Sequence, residues 1–281
     1  MFRFTKSRKL GCYFIKILLY KVKGCKKGNH LMLIPDSIAQ HPFSGLRVAV
    51  TGGTSGLGLA LVHELLGRGA QVAFLARKRE GVELVARENK GSHGIVGDVS
   101  KKDEIYPIAL QITGALGGLD VLINNASDLG PVPMQLLADT ECEDFERALA
   151  TNTLGPFRLT KALLGSLAAS ARQGRTAVVL NVSSDAAVNP YSRWGAYGAS
   201  KAALHHLSRI WYEELKEEGI QVLSLDPGDM HTPLHALAVP DADTSLLKRP
   251  ETAAIEFADA IGRMLSRRAE AQPTISEDVV P

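Results

Sequence analysis

The residues of this chain whose types and spacing suit chemistry are Ser184, Tyr197 and Lys201, in the stretch SDAAVNPYSRWGAYGASK. Its alanine, leucine and lysine content predicts a helix over 198–209, with Tyr197 at its start and Lys201 one turn later. Residues four apart share a helix face and lie about 6 Å apart along the axis. A fixed ammonium there favours the phenolate. Moving a tyrosine from about 10 towards 7 takes roughly 4 kcal/mol, which one ammonium and a second nearby cation can supply in a partly dry site. Such a phenol works as an acid or base near neutral pH. The run TAVVLNVSS (176–184) predicts a buried strand whose end delivers Ser184. Y-x-x-x-K alone is common on surface helices, so its meaning depends on what positions it.

Those positioning elements begin at LRVAVT (46–51), a short apolar strand that ends in TGGTSGLG (51–58) and runs into LALVHELLGRG. Strand, glycine turn and helix in that order predict nucleotide binding. Gly52 allows the tight turn, Gly56 lets backbone approach a pyrophosphate, and Gly58 lets helix and strand pack closely. Thr54, Ser55 and Leu57 complete the turn, and the helix start offers N–H groups to phosphates. QVAFLA (71–76) predicts the second strand. An acid at its end would bond the 2′-hydroxyl of NAD. Ala76 stands there instead, and Arg77 follows, so NADP(H) is expected over NAD(H). HGIVGDV (93–99) and LDVLINNA (119–126) predict the third and fourth strands, with Asp98 and Val99 bordering the adenine. A helix follows over 145–154. Alternating strands and helices over this length predict an α/β fold, a Rossmann-type doubly wound parallel sheet with helices on both faces, in a single domain spanning 45–268. Ligands in such sheets bind beyond the carboxyl ends of the strands. There Gly56, Asn125, Ser184 and the loop at Pro227 would converge.

Composition narrows the function further. Of 281 residues, 45% are hydrophobic, enough for a full core. The net charge of +2 is unevenly spread: residues 1–31 hold nine of the 32 Lys and Arg and none of the 30 acids. The remainder carries a net −7, which gives nucleic acid no electrostatic purchase. Three cysteines without metal-ligand spacing exclude a disulfide framework and fit a reducing, cytoplasmic location. The basic extension 1–31 is expected to lie outside the fold. Its run 10–22 is too short to span a bilayer and no cleavage site follows. Contact with an anionic membrane surface, possible only through this extension, and organelle targeting stay open beside that reading. His231 and His235 are four apart, but lack helical context and a partner set, so no metal is expected. Tyr191 and Trp194 either face substrate or support the core. Residues 234–247 suit a mobile lid.

Taken together, TGGTSGLG, the Asp98–Val99 pair, NNA (124–126), N-x-x-G (152–155), Ser184, YGASK (197–201), Pro227–Gly228 and Thr232 resemble the classical short-chain dehydrogenase/reductase family, in its order and over residues 46–232. The resemblance implies an NADP(H)-dependent oxidoreductase that interconverts a carbonyl and an alcohol on a small substrate. Tyr197 would be the proton donor and Ser184 would bond the same oxygen. Lys201 would bond the nicotinamide ribose and lower the tyrosine's pKa, and Asn152 would hold a water linking Lys201 to solvent. Asn125, Ala126, Pro227, Gly228 and Thr232 would join the cofactor contacts. The alternative is a non-catalytic NADP(H)-binding sensor or scaffold, for which loss of a catalytic residue is expected, and all four are present. Three departures stand out: Ser127 replaces a usual glycine, a loose tail (269–281) replaces the usual terminal strand, and the basic extension is added. A homodimer through 141–154 and 157–171 is implied in place of the common tetramer.

Overall fold

The computed structural model describes residues 43–271. Six strands form one parallel sheet in the order β3-β2-β1-β4-β5-β6: β1 Arg47–Thr51, β2 Gln71–Ala76, β3 Ser92–Val96, β4 Val121–Asn124, β5 Ala177–Val182 and β6 Ile220–Leu225. The central strands read as unbroken apolar runs because both sheet faces are covered. On one face Val48, Val50, Ile123 and Leu180 pack against helices α1 (Gly56–Gly67), α2 (Arg79–Glu88) and α8 (Pro250–Ala271). On the other, Ala49, Leu122 and Val179 meet α3 (Ile105–Leu116), α5 (Gly155–Arg172) and the end of α6 (Gly195–Leu215). Two shorter helices, α4 (Cys142–Leu149) and α7 (Pro233–Ala238), lie at the carboxyl rim. The strand order reverses between β1 and β4, which opens a crevice at their carboxyl ends.

The opposite rim is held by charge. Asp120, just ahead of β4, is fully buried and accepts hydrogen bonds from Arg47 (N, Nε, Nη2), Arg175 (Nε, Nη2) and Ser170 Oγ. Burial would raise this carboxyl's pKa, but the bonds from Arg175, Arg47 and Ser170 outweigh it and hold it well below the usual carboxylate range.

Several elements differ from the sequence expectation. The helix bearing Tyr197 begins at Gly195, so Tyr197 sits within its first turn while the four-residue step to Lys201 is kept. The helix expected over 145–154 is α4 followed by a π-helical turn at Ala150–Leu154 that runs on into α5. β3 and β4 end before Asp98 and Asn125, which therefore stand in the loops beyond the sheet. Helix α8 continues to Ala271, so residues 269–271, expected to be loose, are helical. The rest of that tail and the basic extension lie outside the described residues. The expected lid contains α7, and its base is clipped by His231 N donating to Lys248 O and Lys248 N donating to Asp229 O, both at 2.9 Å. Among the described residues, no helix is long and apolar enough to cross a membrane.

Candidate active site

The crevice is a cleft of about 540 Å³, within the usual range of cofactor sites. It is lined by Gly52, Thr54, Ser55, Gly56, Leu57 and Gly58 from the glycine turn, Arg77 beyond β2, Asp98 and Val99 beyond β3, and Asn125 and Ala126 beyond β4. Tyr197 and Lys201 line it from α6, and Pro227 and Thr232 from beyond β6. Ser55, the N-cap of α1, makes no side-chain cap bond, so the first-turn N–H groups lack a side-chain acceptor. Gly56 has φ 52°, and a Cβ on Gly58 would collide with the Gly52 carbonyl. A helix start without a side-chain cap, behind a glycine turn whose backbone allows close approach, fits a dinucleotide pyrophosphate. Thr51 fastens the rim of β4 to that turn: its hydroxyl accepts from Asn125 N and Ala126 N, both at 2.9 Å, and its carbonyl accepts from Asn125 Nδ2.

Helix α6 is set against the sheet by a buried polar chain. Asn124 Nδ2 donates to Asn181 Oδ1, and Asn181 Nδ2 donates to Ser208 Oγ, each at 2.8 Å. This puts Tyr197 and Lys201 over the ends of β4 and β5. Lys201 is buried and donates to Val182 O at 2.8 Å, with its Nζ 5.6 Å from the centre of the Tyr197 ring. Burial pulls its ammonium down to about 8, with Asp226 opposing the shift. Burial likewise pushes the Tyr197 phenol up to about 12; the hydroxyls of Ser184 and Ser127 pull it down, and Asp226 and Asp185 add to the rise. The expectation of a phenol tuned towards 7 is thus not met in the protein alone. Desolvation wins, and Tyr197 is a neutral phenol at physiological pH, the form that can donate a proton.

The lysine's shift carries a testable sign. Between about 8 in the folded chain and 10.4 unfolded, the unfolded state binds more protons, so this group adds stability as pH rises through that window. Burying the charged form is therefore a cost at pH 7. Lys201→Met should melt higher than the parent at pH 7 without cofactor, and the gap should close as pH climbs towards 10. Thermal melts of both proteins across that range check it. A gap independent of pH would mean the gain comes from packing.

Asn152 lies behind the cleft, fully buried within the π-helical turn. Its Oδ1 accepts from Asp128 N, and its Nδ2 donates to Asp128 O and Ser200 Oγ, at 2.7–2.8 Å. Both amide hydrogens are consumed, so a water there would have to meet the remaining Oδ1 lone pair or the backbone. Gly228 makes the turn after β6, with φ 73° and its N–H donating to Asp226 Oδ1. Gly155 packs onto Val99, where a Cβ would meet the Val99 carbonyl at 2.9 Å. His231 is exposed, whereas His235 Nε2 lies 3.7 Å from Asp229 Oδ1 with its Nδ1 buried and unbonded.

A family model described as short chain dehydrogenase matches residues 47–243. The chain belongs to the short-chain dehydrogenase/reductase family. Glucose 1-dehydrogenase of Gluconobacter oxydans is 31% identical over 231 residues, 78% of this chain and 84% of that protein. The 3-ketoacyl-(acyl-carrier-protein) reductase of Brucella melitensis complexed with NADH is similar in structure, with a TM-score of 0.73 at 26% identity, over 77% of this chain and 90% of that one. Actinorhodin polyketide ketoreductase with NADPH gives a TM-score of 0.71 at 26% identity, over 79% and 92%.

Within this short-chain dehydrogenase/reductase, four residues near the phenol were missed by sequence reasoning. In the sequence Ser127 stands out only as the replacement of a usual glycine. Its hydroxyl faces Tyr197, and it is buried without a well-aligned hydrogen-bond partner. Asp185 and Asp226 act on Tyr197 through space, and Leu234 from α7 packs beside it. Asp185 was visible as the neighbour of Ser184; the others come together only in the fold. Tyr191 and Trp194 form an edge-to-face series that ends on Tyr197.

Proposed function

We propose that this protein is an NADP(H)-dependent oxidoreductase that interconverts a carbonyl and an alcohol on a small substrate, with Tyr197 as the acid or base. The observation that carries this reading is that Tyr197 and Lys201 line the same cleft as the glycine turn and Arg77. Bound there, the nicotinamide would supply or accept the hydride. The chain's own contribution is orientation and charge. The Tyr197 hydroxyl donates its proton to the substrate oxygen in reduction, and Ser184 bonds that oxygen to fix the carbonyl. Lys201 holds the ribose and offsets charge left on the phenol. Gly52, Thr54, Ser55, Gly56, Leu57 and Gly58 hold the pyrophosphate, with Asp98, Val99, Asn125, Ala126, Pro227, Gly228 and Thr232 around the rest. Incubation with NADPH and a panel of aldehydes, ketones and quinones, followed by loss of absorbance, tests the reading. Protein that binds NADPH but turns over none of them overturns it.

Arg77 is proposed to select NADP(H). Exposed at the end of β2 and lining the cleft, its guanidinium is free to meet a 2′-phosphate. A charge-assisted bond is worth about 1.5–3 kcal/mol, roughly 10- to 150-fold in affinity. Arg77→Ala should weaken NADP by that factor and leave NAD nearly unchanged, as read by fluorescence titration; equal weakening would make Arg77 a support for the loop.

A homodimer in the cytoplasm is also proposed. Leu154 and Ile210 are exposed on α5's approach and on α6, beside the stacked pair Phe157 and Trp211. Light scattering decides the oligomeric state.

A further inference from the structure

Asp185 follows Ser184 directly and takes no part in the chemistry proposed above. Its Oδ1 accepts the Ser184 hydroxyl at 3.2 Å, and its Oδ2 accepts the Tyr191 hydroxyl at 2.6 Å. Both oxygens keep lone pairs for another donor. The residue is exposed, and no ion pair engages it among the described residues. Beside it runs an aromatic wall. Tyr191 meets Trp194 edge to face with ring centres 6.2 Å apart, and Trp194 meets Tyr197 likewise at 5.7 Å. The wall leads from the phenol that meets the carbonyl to the phenol that braces the carboxylate. Asp226 and Asp229, both exposed, add negative potential at Tyr197 and Tyr191 respectively. Lys201 is buried on the cofactor side and bonded to Val182, and Arg193, between Tyr191 and Trp194 in sequence, is exposed and makes no ion pair with Asp185.

We infer that Asp185 and the aromatic wall of Tyr191 and Trp194 form a cation subsite, so that the substrate is a ketone or aldehyde carrying an ammonium or quaternary ammonium group a few bonds from its carbonyl. This rests on the carbonyl–alcohol reading of the site. Ser184 links the two ends: its one hydroxyl hydrogen, given to Asp185 here, would turn to the carbonyl oxygen when substrate binds and leave Oδ1 of Asp185 to the cation. A cation held there reaches the carboxylate by charge and the rings by their negative faces, for which about 6 Å from the ring centre suffices. A carboxylate in the same place meets like charge from Asp185. An uncharged group gains neither attraction.

Three methyl ketones of equal chain length test this, bearing a trimethylammonium group, its tert-butyl isostere or a carboxylate. With NADPH at low salt, kcat/KM for the cation should exceed that for the isostere about tenfold or more, and the carboxylate should be poorest. The advantage should shrink as salt is added. Asp185→Asn, which keeps the shape, should bring the cation-to-isostere ratio close to one. Because the result is a ratio, any general effect through Ser184 cancels. Equal use of the cation and the isostere overturns the subsite, and so does preference for the carboxylate, which would point to the exposed Arg193 instead. Calorimetry of the same ketones on protein loaded with NADP reads the subsite without turnover. Tighter binding of the cation, lost in Asp185→Asn, supports the subsite even if no ketone is reduced, in which case the proposed reaction alone fails. Equal binding of all three overturns it.

Discussion

Tyr197→Phe is expected to lower turnover by at least about 100-fold, the usual scale for removing a general acid, with NADPH affinity nearly unchanged. The substitution deletes one oxygen and keeps the ring. That ring packs with Leu129 and Ala186 and takes the edge of Trp194, so the fold around it should survive. The parent phenol, pushed up to about 12, stays protonated across the neutral range, so reduction needs no prior proton uptake at this residue. Alcohol oxidation needs the phenolate and should gain with rising pH. Steady-state oxidation of NADPH, set beside a fluorescence titration of its binding, reads both effects. Activity within tenfold of the parent would remove Tyr197 from the acid–base role.

The contrast between what the sequence made legible and what it hid follows the range of the forces involved. The glycine turn and the step from Tyr197 to Lys201 are local, fixed by backbone geometry over a few residues, and both stand as expected. The sheet follows from apolar runs alternating with helices, so its parallel order was also within reach. The phenol's pKa was not. It depends on how dry the site is, and dryness is set in part by residues far away in sequence such as Leu129. Asn152 was recognised by its motif, yet its partners Asp128 and Ser200 lie 24 and 48 positions away, and no local pattern announces them. The π-helical turn that carries it looks like ordinary helix in composition. Asp120 reads as one more polar residue before a strand until Arg47 and Arg175, 73 and 55 positions away, are brought against it.

Asp120→Ala should cost about 3 kcal/mol of stability. Breaking a buried ion pair typically costs about 3–5 kcal/mol, and the lower end applies because both guanidinium groups reach solvent, with Arg47 17% and Arg175 41% exposed. Denaturant titration at neutral pH reads the loss. The carboxyl's folded pKa is depressed, so its stabilisation is complete above about pH 4, its unfolded value, and fades as pH falls below it. The difference between parent and variant should narrow on acidification. Asp120 sits at the opposite rim from the cleft, so kcat/KM per folded molecule should not change. A variant as stable as its parent would show that desolvation had already cancelled the gain from pairing.

The position of β1 also bears on how the chain assembles as it leaves the ribosome. β1 pairs with β2 on one side, in register from Arg47 with Gln71, and with β4 on the other, from Val48 with Val121. The first three strands can pair as they emerge, since β2 and β3 follow β1 directly. The other edge of β1 must wait until residue 121 and its neighbours have been made, and the half-sheet meanwhile offers a bare apolar edge to other chains. Nascent chains halted between β3 and β4 should therefore be the form most prone to aggregate and most dependent on chaperones. Release past β4 closes that edge and commits the sheet to its order before the helix bearing Tyr197 and Lys201 has been synthesised.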